Sequence, residues 1–577
     1  MKKNLLCLLL ALAMLLSLAA CGSPDVSSAS AEETASKETE ASAVQSVEEA
    51  VEETSYTDAS SAEPVEASAA ELVHTVEYPL SDEEITLTYW NLYMNNLSGY
   101  LDNYNDHYLN DEAARQTGVR LEWHDISMAA ANENFNLLAA SGDYLDFMPV
   151  SRYYTGGLGK ALDDGAIIDL TEYVDEWAPD FLRAMEQGDT RKELSDDESR
   201  ILQFYTIQDE FLPVSGLTVR QDWLDDLGLD VPETTDELFD VLLAIKNAHP
   251  ECKRPFYVDK EGIMNDVYGA FDMMALSMEV GMMPKEGVNT AIYQKDGVAM
   301  SGLQQDGFRE YLEYFHKIYD AGLTDPDFYS ASDSGASQNA NRSAGDQAIW
   351  WGNSDDFSTI EDASDDPNCN IKAIAPIVKN KGDTYNYGES HSYLGMQTAS
   401  VMSNCEHPEI AVAYLNYFYS PEGYYIANYG IEGDTYELDD DGNAHFTDKV
   451  LANPEGMPTN VAMMCYTFSS IPTLNVRSRS FAAYLPKEIE AMEMWAEKNT
   501  GKYVMPTMNF TTDESNEYAS IASDLYAYAC QTVLQFIVGD QEINDQNWDA
   551  FQAHLTEMGI DRCVEIYQAA LDRYNNR

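Results

Sequence analysis

The chain is poor in basic residues: 33 lysines and arginines stand against 100 aspartates and glutamates in 577 residues, a formal charge of −67. Such a surface repels nucleic acid phosphates, and it argues against a strongly anionic ligand unless basic groups are gathered locally. Clustered cysteines are also lacking. The eight present are scattered with no C-x-x-C, so no zinc site is expected, and spacing assigns no disulfide among Cys252, Cys369, Cys405, Cys465, Cys530 and Cys563. H-E-x-x-H, G-x-S-x-G, S-x-x-K with K-T-G and G-x-x-x-x-G-K-[ST] are all absent. Gly157 and Gly159 lack the third glycine and the immediately preceding strand of a dinucleotide loop. The nine histidines are dispersed. No catalysis and no cofactor are expected from these absences.

Long apolar runs are missing everywhere except at the start, "MKKNLLCLLLALAMLLSLAACGS". Two lysines, an apolar stretch from Leu5 to Ala20 and a small-residue site read as a signal peptide over residues 1–20, too short for the roughly 20 residues of a spanning helix. "LAAC" resembles a bacterial lipobox, which makes Cys21 the expected lipidation site and places the protein, lipid-anchored, on the outer face of the cytoplasmic membrane. Residues 21–80, rich in Ser, Ala and Glu, cannot bury a core and are expected to be a disordered acidic tether. Its 58 residues before Leu80 would average about 40–45 Å end to end. Without signal and tether the chain still carries 86 acids against 30 bases.

The remainder, 81–577, exceeds what one core usually serves, so at least two lobes are expected. "EEITLTYWNLYMNN", "VRLEWHD" and "YLDFMPV" read as strands, separated by helical segments that stop at Gly118 and Gly142. That β-α-β-α-β order predicts a parallel sheet in an α/β fold. Thr234-x-x-Glu237 is a capping box ahead of a helix running to about Ala248. The C-terminal third is mostly helical by its apolar spacing.

Two features could carry chemistry. In "YGIEGDTYELDDDGNAHFTD", Glu437, Asp439, Asp441 and Asp448 fall at positions 1, 3, 5 and 12 of a calcium loop with Gly442 at position 6. The end residues depart from that pattern, and the flanks alternate like a hairpin turned at Asp441-Gly442, which is the expectation. With so many acids, close carboxylate pairs arise by chance and nominate no glycosidase site. The second feature is aromatic side chains emerging where strands end, where open α/β sheets hold ligands. Trp90, Tyr93, Tyr153, Trp351 and Tyr393 could stack on sugar C–H faces, with Asn91, Arg152, Asn353 and His391 on hydroxyls.

In one order, "EAARQTGVRLEW", "LLAASGDYLDFM", "GKALDDGAIIDLTEYVDEWAPDF", "VRQDWLDDLGLDVPETTDELFDVLLAIKNAHP", "NYGIEGDTYELDDDGNAHFTD" and the tail from "FIVGDQ" to "ALDRY" resemble extracellular solute-binding proteins of family 1, in the lipoprotein branch serving oligosaccharide ABC importers. The resemblance spans Glu83 to Arg577. It implies a two-lobed, periplasmic-binding-protein-like α/β fold with hinge-linked lobes, a ligand in the cleft, permease subunits as partners and a monomeric state. By analogy "FLPVSGLTVR" is the first interlobe crossing and "IKAIAPIV" the second. Lobe I is then about 81–215 and 378–450, and lobe II about 216–377 and 451–577. Arg220 and Asp222 match the hinge-side motif as mainly structural residues that could reach the cleft. "DDESRILQF" departs from the relatives' "DGKIYGLP" ahead of the hinge. A surface adhesin or signalling protein reusing the fold, and a polysaccharide-active enzyme, are the alternatives.

Overall fold

The computed structural model describes residues 75–577 apart from 211, 259–283, 286–288, 291, 330–334, 386–391, 441, 469, 499, 507 and 509. The expected signal peptide, Cys21 and most of the tether lie outside the described residues. Glu71–Arg577 is one compact unit, built as two lobes around separate sheets.

The chain enters the first lobe through β1 (Ile85–Tyr93), α1 (Asn110–Thr117), β2 (Val119–Ser127), α2 (Ala131–Ser141), β3 (Phe147–Met148), α3 (Gly157–Asp163) and β4 (Phe204–Gln208). It then crosses to β5 (Ser215–Arg220), α4 (Thr235–Ala248), β6 (Arg254–Phe256), α5 (Asp306–Asp320), β7 (Gln347–Asn353) and β8 (Ile371–Ala373). It returns as β9 (Leu394–Val401), α6 (Pro408–Tyr417), α7 (Pro421–Asn428), β10 (Tyr436–Leu438), β11 (Ala444–Phe446) and β12 (Leu474–Asn475). A last crossing leads to α8 (Pro486–Lys498), α9 (Thr512–Val538), α10 (Asp545–Met558) and α11 (Ile560–Asn575).

The first sheet has the order β12-β4-β9-β3-β1-β2, and the second β8-β5-β7-β6. β1 runs parallel to β2 and β3, as the alternating pattern predicts, and α1 and α2 stop at left-handed Gly118 and Gly142. β9 runs antiparallel to β3 and β4, so its amino-terminal half lies at the carboxyl end of β3. In the second sheet β7 is antiparallel to β5 and parallel to β6. Both halves of the Thr234–Glu237 capping box form. A second box, Thr511 with Glu514, starts α9.

The lobes have distinct cores. Leu87, Tyr89, Leu121, Phe147, Phe204 and Leu415 pack in the first lobe, and Val219, Leu242, Phe315, Ile349, Leu525 and Phe551 in the second. These cores redraw the expected boundaries. Val461, Cys465, Phe468 and Ile471 bury in the first core, so the stretch after residue 450 stays in the first lobe until β12, and the last crossing is 476–485. "IKAIAPIV" is not a crossing either: it contains β8, and Ile374 and Ile377 belong to the second core, so the crossing follows it. The fold also begins earlier than the expected tether end, because Tyr78 donates its hydroxyl to the Ala413 carbonyl at 2.8 Å and Leu80 N–H bonds to Thr117 O at 2.7 Å.

The six cysteines of the described residues are free thiols. No helix among the described residues is long and apolar enough to cross a membrane.

Candidate functional site

Three crossings join the lobes, and the first and third are stitched together. The Asp209 carboxylate accepts the Arg477 backbone N–H at 2.8 Å, Asp209 N–H bonds to Asn475 O at 3.1 Å, and the Arg477 guanidinium reaches Leu212 O at 2.8 Å. Burial pushes the Asp209 carboxyl up, against the Arg477 amide that favours its ionised form.

Beyond the crossings a cavity of about 490 Å³ opens between the lobes, a size that suits a small ligand. The first lobe lines it with the start of α3 and the loop 194–202, and the second with Met508, Phe510, Thr511, Thr512 and Ser515. The loop is held by Asp196, which accepts the backbone amides of Glu198 (3.0 Å) and Arg200 (2.8 Å) and the Arg200 Nε at 2.7 Å. This tight turn takes Ser199 to φ 60°. Opposite it, the Phe510 ring is propped by Tyr567 at 4.9 Å and Tyr518 at 5.8 Å.

Beside the cavity the lobes are tied by charge. Asp197 accepts Arg573 Nε at 2.6 Å and the Arg577 guanidinium at 2.7 Å. Arg577 also donates to Lys192 O (2.9 Å) and Ser195 O (2.6 Å), and the Lys192 ammonium sits 4.4 Å from the Tyr574 ring centre. Arg573 forks onto Glu514 at 2.8 and 2.6 Å. Burial opposes ionisation of Glu514, yet the bonds from Arg573 and Thr511 hold its pKa below the usual range. The tie joins 192–197 of the first lobe to α9 and α11 of the second.

The sequence-predicted site residues divide into groups. Trp90 and Asn91 are corrected to core residues: Trp90 is 2 % exposed with Nε1 on Asn134 at 2.8 Å, and Asn91 is 1 % exposed and donates to Asp125 at 2.7 Å. Their polar atoms are spent inside the first lobe. Tyr93 donates to Leu101 O at 2.9 Å. Arg220 and Asp222 form a bidentate pair at 2.9 and 2.6 Å, with Asp366 at 3.2 Å and Trp223 stacked 4.5 Å away. They sit at the carboxyl end of β5, away from its cleft-side start, because a buried guanidinium needs its carboxylate beside it. Arg152 and half-buried Tyr153 follow β3, while half-buried Trp351 and exposed Asn353 lie at the end of β7 that pairs with Ser215 and Leu217 at the start of β5. Tyr393 packs where the chain re-enters the first sheet, with its carbonyl on Gln208 N–H at 2.7 Å. His391 lies outside the described residues. None of the ten described ones lines the 490 Å³ cavity.

The acidic stretch is the expected hairpin, β10 paired with β11. The Asp439 carboxylate is spent on the turn, accepting Asn443 N–H at 2.8 Å, Asn443 Nδ2 at 3.0 Å and His445 Nε2 at 3.0 Å. Among the described residues no His, Cys, Asp and Glu group is placed to hold a metal. Asp441, the fifth position of the calcium spacing, lies outside the described residues.

Sequence reasoning missed a methionine rim. Met94 follows β1, Met128 follows β2, and Met396 stands 74 % exposed in β9, where the register shifts between Leu394 and Thr398. All three lie at the carboxyl-end side of the first sheet. The available signal, an apolar residue just past β1 and β2 and one near the start of β9, is faint beside the aromatics.

A two-lobed α/β protein with a cavity between hinge-linked lobes is the architecture of a solute receptor. Residues 109–429 match the bacterial extracellular solute-binding protein family, and the chain belongs to it. That family binds solutes and is not a family of enzymes. Relatives from Bacillus subtilis (strain 168) are the lipoprotein LipO, 24 % identical over 56 % of this chain and 63 % of its own, and the polygalacturonan/rhamnogalacturonan-binding protein YtcQ, 23 % identical over 57 % and 64 %. The chain thus spans less than two thirds of either. The fructooligosaccharide ABC transporter substrate-binding protein FusA of Streptococcus pneumoniae is 22 % identical over 80 % of this chain and 86 % of its own. In fold, the chain resembles an extracellular solute-binding protein from Bifidobacterium longum subsp. infantis (TM-score 0.69, 18 % identity, 86 % of this chain and 99 % of the other). It also resembles FusA in complex with kestose (0.64, 17 %, 85 % and 99 %).

Proposed function

We propose that the protein is the substrate-binding component of an ABC importer, anchored outside the cell through a lipid on Cys21, that captures an oligosaccharide between its lobes and hands it to permease subunits. The observation that carries this is the interlobe cavity, walled by the loop 194–202 on one side and the start of α9 on the other. A ligand bridging both walls stabilises the closed arrangement by its differential affinity for it, which lets a permease select loaded from empty receptor. The saccharide names of FusA and YtcQ support the ligand class. The chain acts as a monomer, each molecule holding its own complete cleft.

A melting-temperature screen of the mature protein against glycans, peptides and amino acids tests the reading. One or more glycans raise the melting temperature; a response to peptides or amino acids alone contradicts it. Labelling with a palmitate analogue, lost in Cys21→Ala, tests the anchor.

A further inference from the structure

Among the described residues the cavity is bordered by cations, and each of these is engaged by the protein. Lys160 pairs with Asp164, Arg200 with Asp196 and Glu198, and Arg573 and Arg577 with Asp197. What the lining offers a ligand is different. The exposed Asp163 carboxylate makes no hydrogen bond among the described residues, and the Thr512 and Ser515 hydroxyls make none either. Leu158, Met508 and Phe510 supply apolar surface. Arg152, on the turn before α3, does not line the cavity.

From this inventory, and resting on the proposal that the cleft binds a saccharide, we infer that the ligand is an uncharged oligosaccharide and that Asp163 is a specificity-determining residue. A lone carboxylate accepts two adjacent sugar hydroxyls with charge-assisted bonds, and the Thr512 and Ser515 hydroxyls donate or accept as the ring requires. The thioether and phenyl groups cover C–H faces. A uronate ring has no such fit. Its carboxylate would enter a cavity whose acids Asp163, Asp196, Asp197 and Glu198 outnumber Lys160 and Arg200, and to be neutralised it would have to break an existing ion pair. The cavity therefore rejects by unpaired charge as well as selecting by hydrogen bonds.

Calorimetric titration of the mature chain tests this with matched sets: neutral kestose, maltotriose, xylotriose and mannotriose; trigalacturonate and an alginate trisaccharide; and tripeptides. At least one neutral glycan binds, the acidic glycans do not, and Asp163→Asn weakens the neutral ligand at least tenfold while leaving the ligand-free melting temperature unchanged. Asp163→Lys lowers neutral binding in the same way and admits trigalacturonate. Binding of an acidic glycan by the unaltered chain overturns the inference and leaves the saccharide reading standing, as does full affinity in Asp163→Asn. Binding of tripeptides alone, or of none of the three sets, overturns both.

Discussion

At the scale of single residues, neighbours decide which side chains are available for function. Gly216, second in β5, lies opposite Gly352, and a Cβ there would stand 2.3 Å from the Trp495 indole. Trp495 is 3 % exposed and holds Ile374 O at 3.1 Å, so it cannot yield cheaply. Gly216→Ala therefore destabilises the second lobe by about 1–3 kcal/mol, read as a lower urea midpoint. His107 gives a pH signature. It is stacked between Tyr104 and Phe468 with ring centres 5.0 and 5.1 Å away, and burial lowers its pKa to about 4. The unfolded chain takes up this proton near pH 6.5 and the folded one only near 4, so stability is full above 6.5, falls through that window and levels off below it. The loss is on the order of 3 kcal/mol. Urea unfolding from pH 7 to 4 shows this slope, and His107→Gln removes that part of it.

At the scale of elements, the ionic tie between 192–197 and α9–α11 acts on closure from the cavity wall, where Asp197 is one of the lining acids. Asp197→Asn breaks bonds to two arginines, of which Arg577 has a side chain only 4 % exposed. Allowing for the partial exposure of Arg573, the expected loss is about 1–2 kcal/mol, roughly a tenfold weaker ligand affinity through a smaller closed fraction. The ligand-free protein also becomes more open by small-angle scattering, and added salt reproduces part of the effect in the unaltered chain. An unchanged affinity would show that the tie persists in both states. Much at this scale was legible in the sequence: the alternation of β1 and β2, the glycine stops of α1 and α2, the Thr234 box and the hairpin are all local signals. The second and third crossings were not, because a segment such as 476–485, most of it a 3-10 helix, carries no pattern telling which lobe it leaves. Trp90 was misread for a related reason, while Arg220 is the mainly structural residue that the motif implied. An aromatic at a strand's end looks the same whether it faces a cleft or a core, and only the position of Asn134 settles it. The cavity walls lie some 300 residues apart in the chain, beyond any local pattern.

At the scale of the whole molecule, the acid excess keeps the protein soluble and away from polyanions, while the few bases are gathered where structure needs them. Arg573, Arg577 and Arg477 all sit at junctions between the lobes or their crossings. The proposed function requires closure around a saccharide, and a ligand at 100 times its dissociation constant stabilises the loaded form by about 2.7 kcal/mol. Small-angle scattering of the mature protein, titrated with neutral oligosaccharides and separately with peptides, tests this most directly. Closure around a saccharide predicts that a glycan shrinks the radius of gyration in a saturable way, and a radius that contracts with peptides but with no glycan would contradict it.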